Sequence, residues 1–294
     1  MPRPLAAPIF RDFGTPPNYL EDALHSLRNY RRHPLKEEEM SNFVRLRNAG
    51  NGCYANSVVT GLLSLSSFRE GTESLQRSNV LNEIYKPIYL EGIQDLTTLR
   101  TLVTGTGGNL WSSNCQQDAS EFLLAIIQAL EENYGPPLRQ QIFDHSVSTI
   151  GICQSNAQTN CPEEPLTEQP NPILMVDISE GYDLTECYNA TISGRQMDPY
   201  FGQCICSGDS EVLFKRVDRI KAFPPSLIVQ LKRFDSTGSK SEKPINAPLQ
   251  WSPSNSSPPY YLRSATIHHG GGTFSGHYTT LVNLDGKFYM ISDD

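Results

Sequence analysis

Asn48-Ala49-Gly50-Asn51-Gly52-Cys53-Tyr54-Ala55-Asn56-Ser57 is a small, polar run that delivers one cysteine to the start of an apolar-periodic segment. Val58, Val59, Leu62, Leu63 and Leu65 follow at helical spacing, which predicts a helix from Cys53 to about Phe68. Unpaired backbone N–H groups and the positive end of the helix dipole favour a thiolate at such a position. Gly50 and Gly52 remove side-chain bulk, so a substrate backbone can approach closely. Asn48, upstream in the same run, carries an amide N–H suited to a developing oxyanion. Taken alone, these residues also fit a buried cysteine in a glycine-rich turn. The rest of the chain decides between the two.

The chain has 294 residues, 38% hydrophobic and 19% charged, with a formal net charge of -8. That length supports one large domain or two small ones with a sizeable core. The acidic balance argues against a nucleic-acid binder and for a basic partner. No apolar run approaches the roughly 18 residues of a membrane span, and Met1 to Phe10 lacks the pattern of a signal peptide. Seven cysteines is an odd number in a chain too long to need disulfide staples. It points to an intracellular setting, cytoplasm or nucleus, with cysteines used for catalysis, metal or burial. The glycosylation sequons at Asn189 and Asn255 are then chance matches.

Residues 1–41 mix prolines, arginines and the acidic run Glu37 to Glu39, and read as an extension with a short helix around Leu20 to Tyr30. A second globular helix is predicted over roughly Val80 to Leu90. The clearest helix lies between Asp118 and Asn133, with Asp118 and Glu121 as a capping-box pair and Phe122, Ile126, Ile127 and Leu130 on one apolar face. Gly135-Pro136-Pro137 ends it. The polar, proline-broken middle carries five cysteines (Cys153, Cys161, Cys187, Cys204, Cys206) and short β-like runs such as Ile173 to Ile178, so a β-rich subdomain is expected there. Ser226 to Leu231 reads as a fully buried strand, while Tyr260 to Ile267, Tyr278 to Val282 and Phe288 to Ile291 alternate as half-buried strands. The Ser, Pro, Lys and Asn-rich stretch from Ser236 to Pro259 reads as a mobile loop.

A thiol nucleophile needs an imidazole to take its proton and a third polar group to hold that imidazole. Of six histidines, only His277 lies in a suitable setting, where the glycine-rich Gly270 to Gly276 feeds a strand. A turn at Asp285-Gly286 then makes a hairpin whose return strand ends in Ser292-Asp293-Asp294, bringing a hydroxyl or carboxylate within reach of the ring. Each feature alone has an ordinary structural reading. Their conjunction points to catalysis.

Four blocks, in order, now resemble the ubiquitin-specific protease family of papain-like cysteine peptidases. Asn48 to Ser57 is similar to its cysteine box, Gln116-Gln117-Asp118-Ala119-Ser120-Glu121-Phe122 to its Q-Q-D-A-x-E-F block, Leu231-Lys232-Arg233-Phe234 to its L-K-R-F signature, and Tyr260 to Tyr278, with His269 and Gly271, to its histidine box. The resemblance implies an α+β papain-like hand over residues 42–294: helical thumb (about 42–140), β-rich fingers (about 141–225) and β palm (about 226–294). It implies a deubiquitinase whose partners are ubiquitin and ubiquitinated proteins rather than nucleic acid or membrane. Cys53 would be the nucleophile, His277 the general base and Asn48 the oxyanion-hole side chain. Gln117, Asp118, Glu121, Gly276 and Tyr278 would meet the tail of the modifier.

The sequence departs from the family pattern in four places. Gly52 replaces the usual threonine, which is tolerable. The third catalytic position, usually Asn or Asp, falls on Ser292, with Asp293 close behind as the other orienter. No cofactor is expected. Structural zinc held by Cys153, Cys161, Cys204 and Cys206 has poor ligand spacing, so buried thiols are the better reading. The chain stops directly after the catalytic strand, so the domain is expected to be C-terminally truncated. The rival readings are a catalytically weak or inactive ubiquitin-binding relative and a protease for a ubiquitin-like modifier.

Overall fold

The computed structural model describes residues 46–90, 92–105, 108, 111, 115–154, 164–192, 200–203, 212–254, 257–272, 275–284 and 287–293. In chain order these form helices α1 (Cys53–Ser64), α2 (Ser66–Glu73), α3 (Asn79–Tyr89), α4 (Thr97–Leu102), α5 (Ala119–Tyr134) and α6 (Pro136–Ile142), then strands β1 (His145–Cys153), β2 (Glu164–Asn171) and β3 (Ile173–Asp177). Helix α7 (Leu184–Ile192) is followed by β4 (Tyr200–Gly202), β5 (Val212–Ala222), β6 (Ile228–Lys232), β7 (Gln250–Trp251), β8 (Tyr260–Tyr261), β9 (Ser264–Gly272), β10 (Ser275–Leu284) and β11 (Lys287–Ile291). The expected helix within residues 20–30 and the Asp285-Gly286 turn lie outside the described residues.

The apolar face of α1 is almost wholly buried, as its spacing predicts. The helix stops at Leu65, whose backbone is extended, and α2 begins one residue later rather than continuing α1 to Phe68. The break falls in Ser64-Leu65-Ser66-Ser67, where Ser64 Oγ donates to the Gly61 carbonyl at 2.6 Å and competes with the helical ladder. Helix α3 starts at Ser78, whose hydroxyl oxygen accepts the Leu81 N–H at 3.2 Å. Helix α5 starts at Asp118, whose carboxylate accepts the N–H groups of Ser120 and Glu121 at 2.7 and 3.1 Å. It ends where predicted, at Gly135 with φ 81°, a left-handed residue that favours glycine. Pro136 and Pro137 then open α6 instead of a loop, because a ring at the first helical position forfeits no bond.

The helical core is aromatic at its centre. Phe122, fully buried on α5, meets Tyr54 edge-on at 5.2 Å and Trp111 at 5.4 Å. Arg100 on α4 is 3% exposed and spends its donors locally, on the Trp111 carbonyl (2.9 Å), the Tyr54 hydroxyl (3.0 Å) and the Ala49 carbonyl (2.6 Å). A buried guanidinium with these partners ties the cysteine-bearing turn to the core.

The middle segment forms the antiparallel sheet β2-β1-β5-β4, as a β-rich region should. It also holds α7, which was not expected. Asp183 accepts the Glu186 N–H at 2.8 Å, Glu186 accepts the Tyr182 N–H at 2.8 Å, and Tyr188 packs edge-on against Trp251 at 5.2 Å. The stretch from Ser236 to Pro259 is not the free loop its composition implies. Ile245 and Trp251 are 1% and 7% exposed in the same cluster as Tyr188, and Asn246 bonds the backbone on both sides of Asp183. Strand β6 runs parallel to β3 and is half-buried rather than fully buried, because its residues line an open groove facing α5. The antiparallel sheet β9-β10-β11 packs against α1, where Thr280 Oγ1 donates to the Ser57 carbonyl at 3.0 Å.

Phe122→Ala removes the residue on which α1 and α5 converge, and should cost about 3–5 kcal/mol. Urea unfolding checks this: the midpoint should fall with the slope unchanged, and a loss under about 1 kcal/mol would contradict the packing described.

Candidate active site

The turn before α1 is held open by two left-handed residues, Gly50 (φ 58°) and Asn51 (φ 57°). Asn48 Oδ1 accepts the Gly52 N–H at 2.7 Å, which turns the Nδ2 donors of the same amide to the opposite side. Gly52 has an ordinary φ of -82°, so its conformation does not demand glycine. A Cβ there would stand 3.2 Å from the Ala49 oxygen and 3.3 Å from Arg100 Nη1, so the approach of Arg100 leaves little room for the threonine of the family pattern.

Cys53 is the first residue of α1 and 1% exposed. The helix end does not produce a thiolate here. Burial pushes the thiol up, and the Asp293 carboxylate adds to it, against the opposing pull of the N–H groups of Tyr278, Tyr54 and Cys53 itself. The resting sulfur is therefore a thiol. Its bond with the Tyr278 N–H places it beside the backbone of β10, one residue from His277.

His277 is aimed by a bulge. His269 pairs with His277 and Gly272 with Ser275, so Gly270 and Gly271 on β9 stand against Gly276 alone on β10. Gly276 has φ 154°, and a Cβ on it would lie 2.4 Å from the His269 carbonyl oxygen. Glycine is required there, and Gln116 Nε2 donates to the Gly276 carbonyl at 2.6 Å. His277 Nε2 reaches both candidate orienters, Ser292 Oγ at 3.0 Å and Asp293 Oδ1 at 3.3 Å. A carboxylate only accepts, and Ser292 Oγ donates its own proton to the Asp293 carbonyl at 3.2 Å. Nε2 therefore carries the ring proton, and Nδ1 presents a lone pair. The Asp293 side chain is 2% exposed, and its second oxygen accepts from Asn56 Nδ2 at 2.9 Å.

The remaining predicted residues line the groove between α5 and the strands. Gln117, Asp118, Glu121 and Tyr278 border it, as do Gln230 and His268. Asp118 does cap its helix, so both readings of this residue hold at once. The Glu121 side chain has no bond to the Asp118 N–H among the described contacts, so only half of the capping box is formed. The Tyr278 phenol is pushed up chiefly by burial and accepts the Ala119 N–H at the start of α5. Cys153 packs on Val212 and Phe214, while Cys161, Cys204 and Cys206 lie outside the described residues. Among the described residues, no group of three or more metal-ligating side chains comes together. Asn56, Gln116 and Arg100 are the positioning residues that the sequence reading did not single out.

Residues 44–294 match the family model of the ubiquitin carboxyl-terminal hydrolases, and the chain belongs to that family. It is 25% identical over 84% of its length to ubiquitin carboxyl-terminal hydrolase 36 of Drosophila ananassae, covering 26% of that protein. It is 26% identical over 85% of its length to ubiquitin carboxyl-terminal hydrolase 26 of Oryza sativa subsp. japonica, covering 25% of it. A shorter stretch, 41% of the chain, is 30% identical to the probable ubiquitin carboxyl-terminal hydrolase FAF of Drosophila melanogaster and covers 4% of that protein. The chain thus spans about a quarter or less of these relatives. Its fold matches the SAGA Ubp8/Sgf11/Sus1/Sgf73 DUB module bound to ubiquitin aldehyde, with a TM-score of 0.70 at 20% identity over 93% of this chain and 69% of that one. The same module bound to monoubiquitin gives 0.68 at 19% identity, with the same coverage. The fold is the papain-like hand.

Gly276→Ala should destabilise the domain by about 1–3 kcal/mol, measured by thermal unfolding, because the new methyl meets backbone that cannot yield. The buried thiol has its own consequence. Alkylation of Cys53 by iodoacetamide, read by mass mapping, should keep accelerating as pH rises beyond the ordinary thiol value of about 9. A plateau at neutral pH would show a resting thiolate instead.

Proposed function

We propose that this chain is a thiol-dependent isopeptidase that cleaves after the C-terminal glycine of ubiquitin. The observation that carries the reading is the junction of β10 with α1. The Tyr278 N–H meets the Cys53 sulfur, and the neighbouring His277 has Nε2 bound by Ser292 and Asp293, which frees Nδ1 to act as base. Ubiquitin is the partner read from the family; Asp118 and Glu121, on the α5 side of a groove that also carries Lys232, Arg233, Lys240, Lys243 and Arg263, suit a basic modifier tail.

The sulfur attacks the scissile carbonyl as His277 Nδ1 takes the thiol proton. Removing that proton as the bond forms overcomes the burial that keeps the resting group neutral. The oxyanion is met by Asn48 Nδ2 and the Cys53 N–H. Collapse expels the amine, which receives the proton from His277, and leaves a thioester. His277 then takes a proton from water, whose oxygen displaces Cys53. The imidazolium returns that proton to the departing sulfur, restoring the resting thiol, and the free acid leaves as a carboxylate after losing its proton to solvent. Asp293 stabilises the imidazolium in both halves, and Ser292 fixes the ring plane.

The cytoplasm or nucleus is the proposed compartment, supported by the absence of a disulfide at Cys53, Cys115 and Cys187. Among the described residues, no helix is long and apolar enough to cross a membrane. Of the four cysteines considered for zinc, Cys153 lies among the described residues, where it packs on Val212 and Phe214.

Intact-mass measurement after incubation with ubiquitin bearing a thiol-reactive C-terminus tests the reading. Wild type should gain one ubiquitin and Cys53→Ala none. A folded wild-type protein without an adduct would contradict it, and a ubiquitin-affinity measurement then separates an inactive binder from a protease for another modifier. Asp293→Ala should lower kcat/KM about 100-fold or more, and Ser292→Ala by a smaller factor, because the buried carboxylate is the charged partner.

A further inference from the structure

His268 stands opposite Tyr278 in the β9–β10 register, on the side of the sheet away from the His269–His277 pair. Its ring is half-buried at the edge of the groove, between two aromatic neighbours. The Tyr278 ring lies 4.8 Å away and the Phe234 ring meets it edge-on at 5.5 Å. Its Nε2 and Cε1 edge is pressed against the bulge. A Cβ placed on Gly276 would fall 2.3 Å from Nε2, and one on Gly270 would fall 3.3 Å from Cε1. The imidazole thus fills the space beneath both glycines whose conformation turns the strand toward His277. Its Nδ1 is buried with no hydrogen-bond partner. Its own carbonyl accepts from Lys240 Nζ at 2.8 Å, which clamps β9 to the chain that follows β6.

We infer that His268 is a positioning residue for the reaction, its ring seated under Gly276 and Gly270 so that the bulge presents His277 to Cys53. The inference rests on the reading of His277 as the base.

The seat suits only the neutral ring. A protonated imidazole carries N–H groups on both nitrogens, and Nδ1 has no acceptor in its pocket. The charged groups around it do not offset this. Lys240, on the chain after β6, repels a second cation, while Glu242 on the same segment and Asp118 at the start of α5 attract it. Tyr278, on β10, offers a neutral phenol. Burial first and Lys240 second hold the ring below the ordinary imidazole range, against the pull of those two carboxylates. A depressed imidazole stabilises the fold above its unfolded value, and that contribution is lost as pH falls toward the folded one. Acidification therefore unseats the ring and loosens the bulge, in addition to whatever it does at the Cys53–His277 pair.

The test is kcat/KM as a function of pH on a fluorogenic ubiquitin C-terminal amide, for wild type, His268→Gln and His268→Phe. Neither variant side chain titrates, and the phenyl keeps the ring. Wild type should show an acid limb that falls by about 100-fold per pH unit, the loss of two protons, where both variants fall about 10-fold per unit. Should one variant fail to fold, as read by thermal unfolding, the other still assigns the second proton to His268. A one-proton limb in wild type, or the same two-proton limb in a folded variant, would overturn the inference. Wild type without turnover at any pH would instead remove the isopeptidase reading, and this inference with it.

Discussion

The candidate site of this protein depends on one strand being gripped from both sides. Strand β10 is bonded to β9 and β11 along its edges, and its inner face lies on α1. Thr280 reaches the Ser57 carbonyl, and the Tyr278 N–H reaches the Cys53 sulfur. Cys53 belongs to the helical half and His277 to the strand half, separated by more than two hundred residues of chain. No local element can hold two such groups in register; only packing of the strand on the helix does so. The aromatic cluster of Tyr54, Trp111 and Phe122 is therefore part of the chemistry, because it fixes α1.

The electrostatics of the pair follow from the same enclosure. A helix N-terminus offers Cys53 a fraction of a charge, worth about 0.3–1 kcal/mol when exposed. Sealing the sulfur against β10 works in the opposite direction and dominates, so the resting group is neutral. The Asp293 carboxylate, itself sealed, is met by Asn56 and His277. Its negative charge disfavours a thiolate in the absence of an imidazolium, and favours the imidazolium once the proton has moved. Both effects place the charged state on the reaction path rather than in the resting molecule.

Much of the architecture was legible in the sequence wherever the signal was periodic or motif-like. The α1 and α5 faces, the start of α5 at Asp118, its end at Gly135, and the approach of His277 to Ser292 and Asp293 were all legible. The break at Leu65 was not, because Leu65 itself continues the apolar period while serines on both sides weaken the ladder. Helix α7 was hidden in a polar, β-branched run, although Asp183 and Glu186 carry the spacing of a reciprocal cap. Ile245 and Trp251 are isolated apolar residues with no period to mark them, so a pinned segment looked like a loose one. The direction of the Cys53 shift depends on how tightly β10 covers it, a tertiary quantity that no local pattern contains. Asn56 and Gln116 lay inside recognised blocks, but their partners, Asp293 and Gly276, are distant in sequence, so only the fold reveals what they hold.

One ring decides the chemistry: His277 keeps its proton on Nε2, held by Ser292 and Asp293, which leaves Nδ1 as the nitrogen with a lone pair. Nitrogen-15 spectroscopy of the histidine side chains at neutral pH, with His277→Gln used to assign the signals, measures this directly. His277 should show a protonated Nε2 and an unprotonated Nδ1. A ring protonated on Nδ1 would contradict this, since the nitrogen not held by Ser292 and Asp293 would then have no lone pair to take a thiol proton.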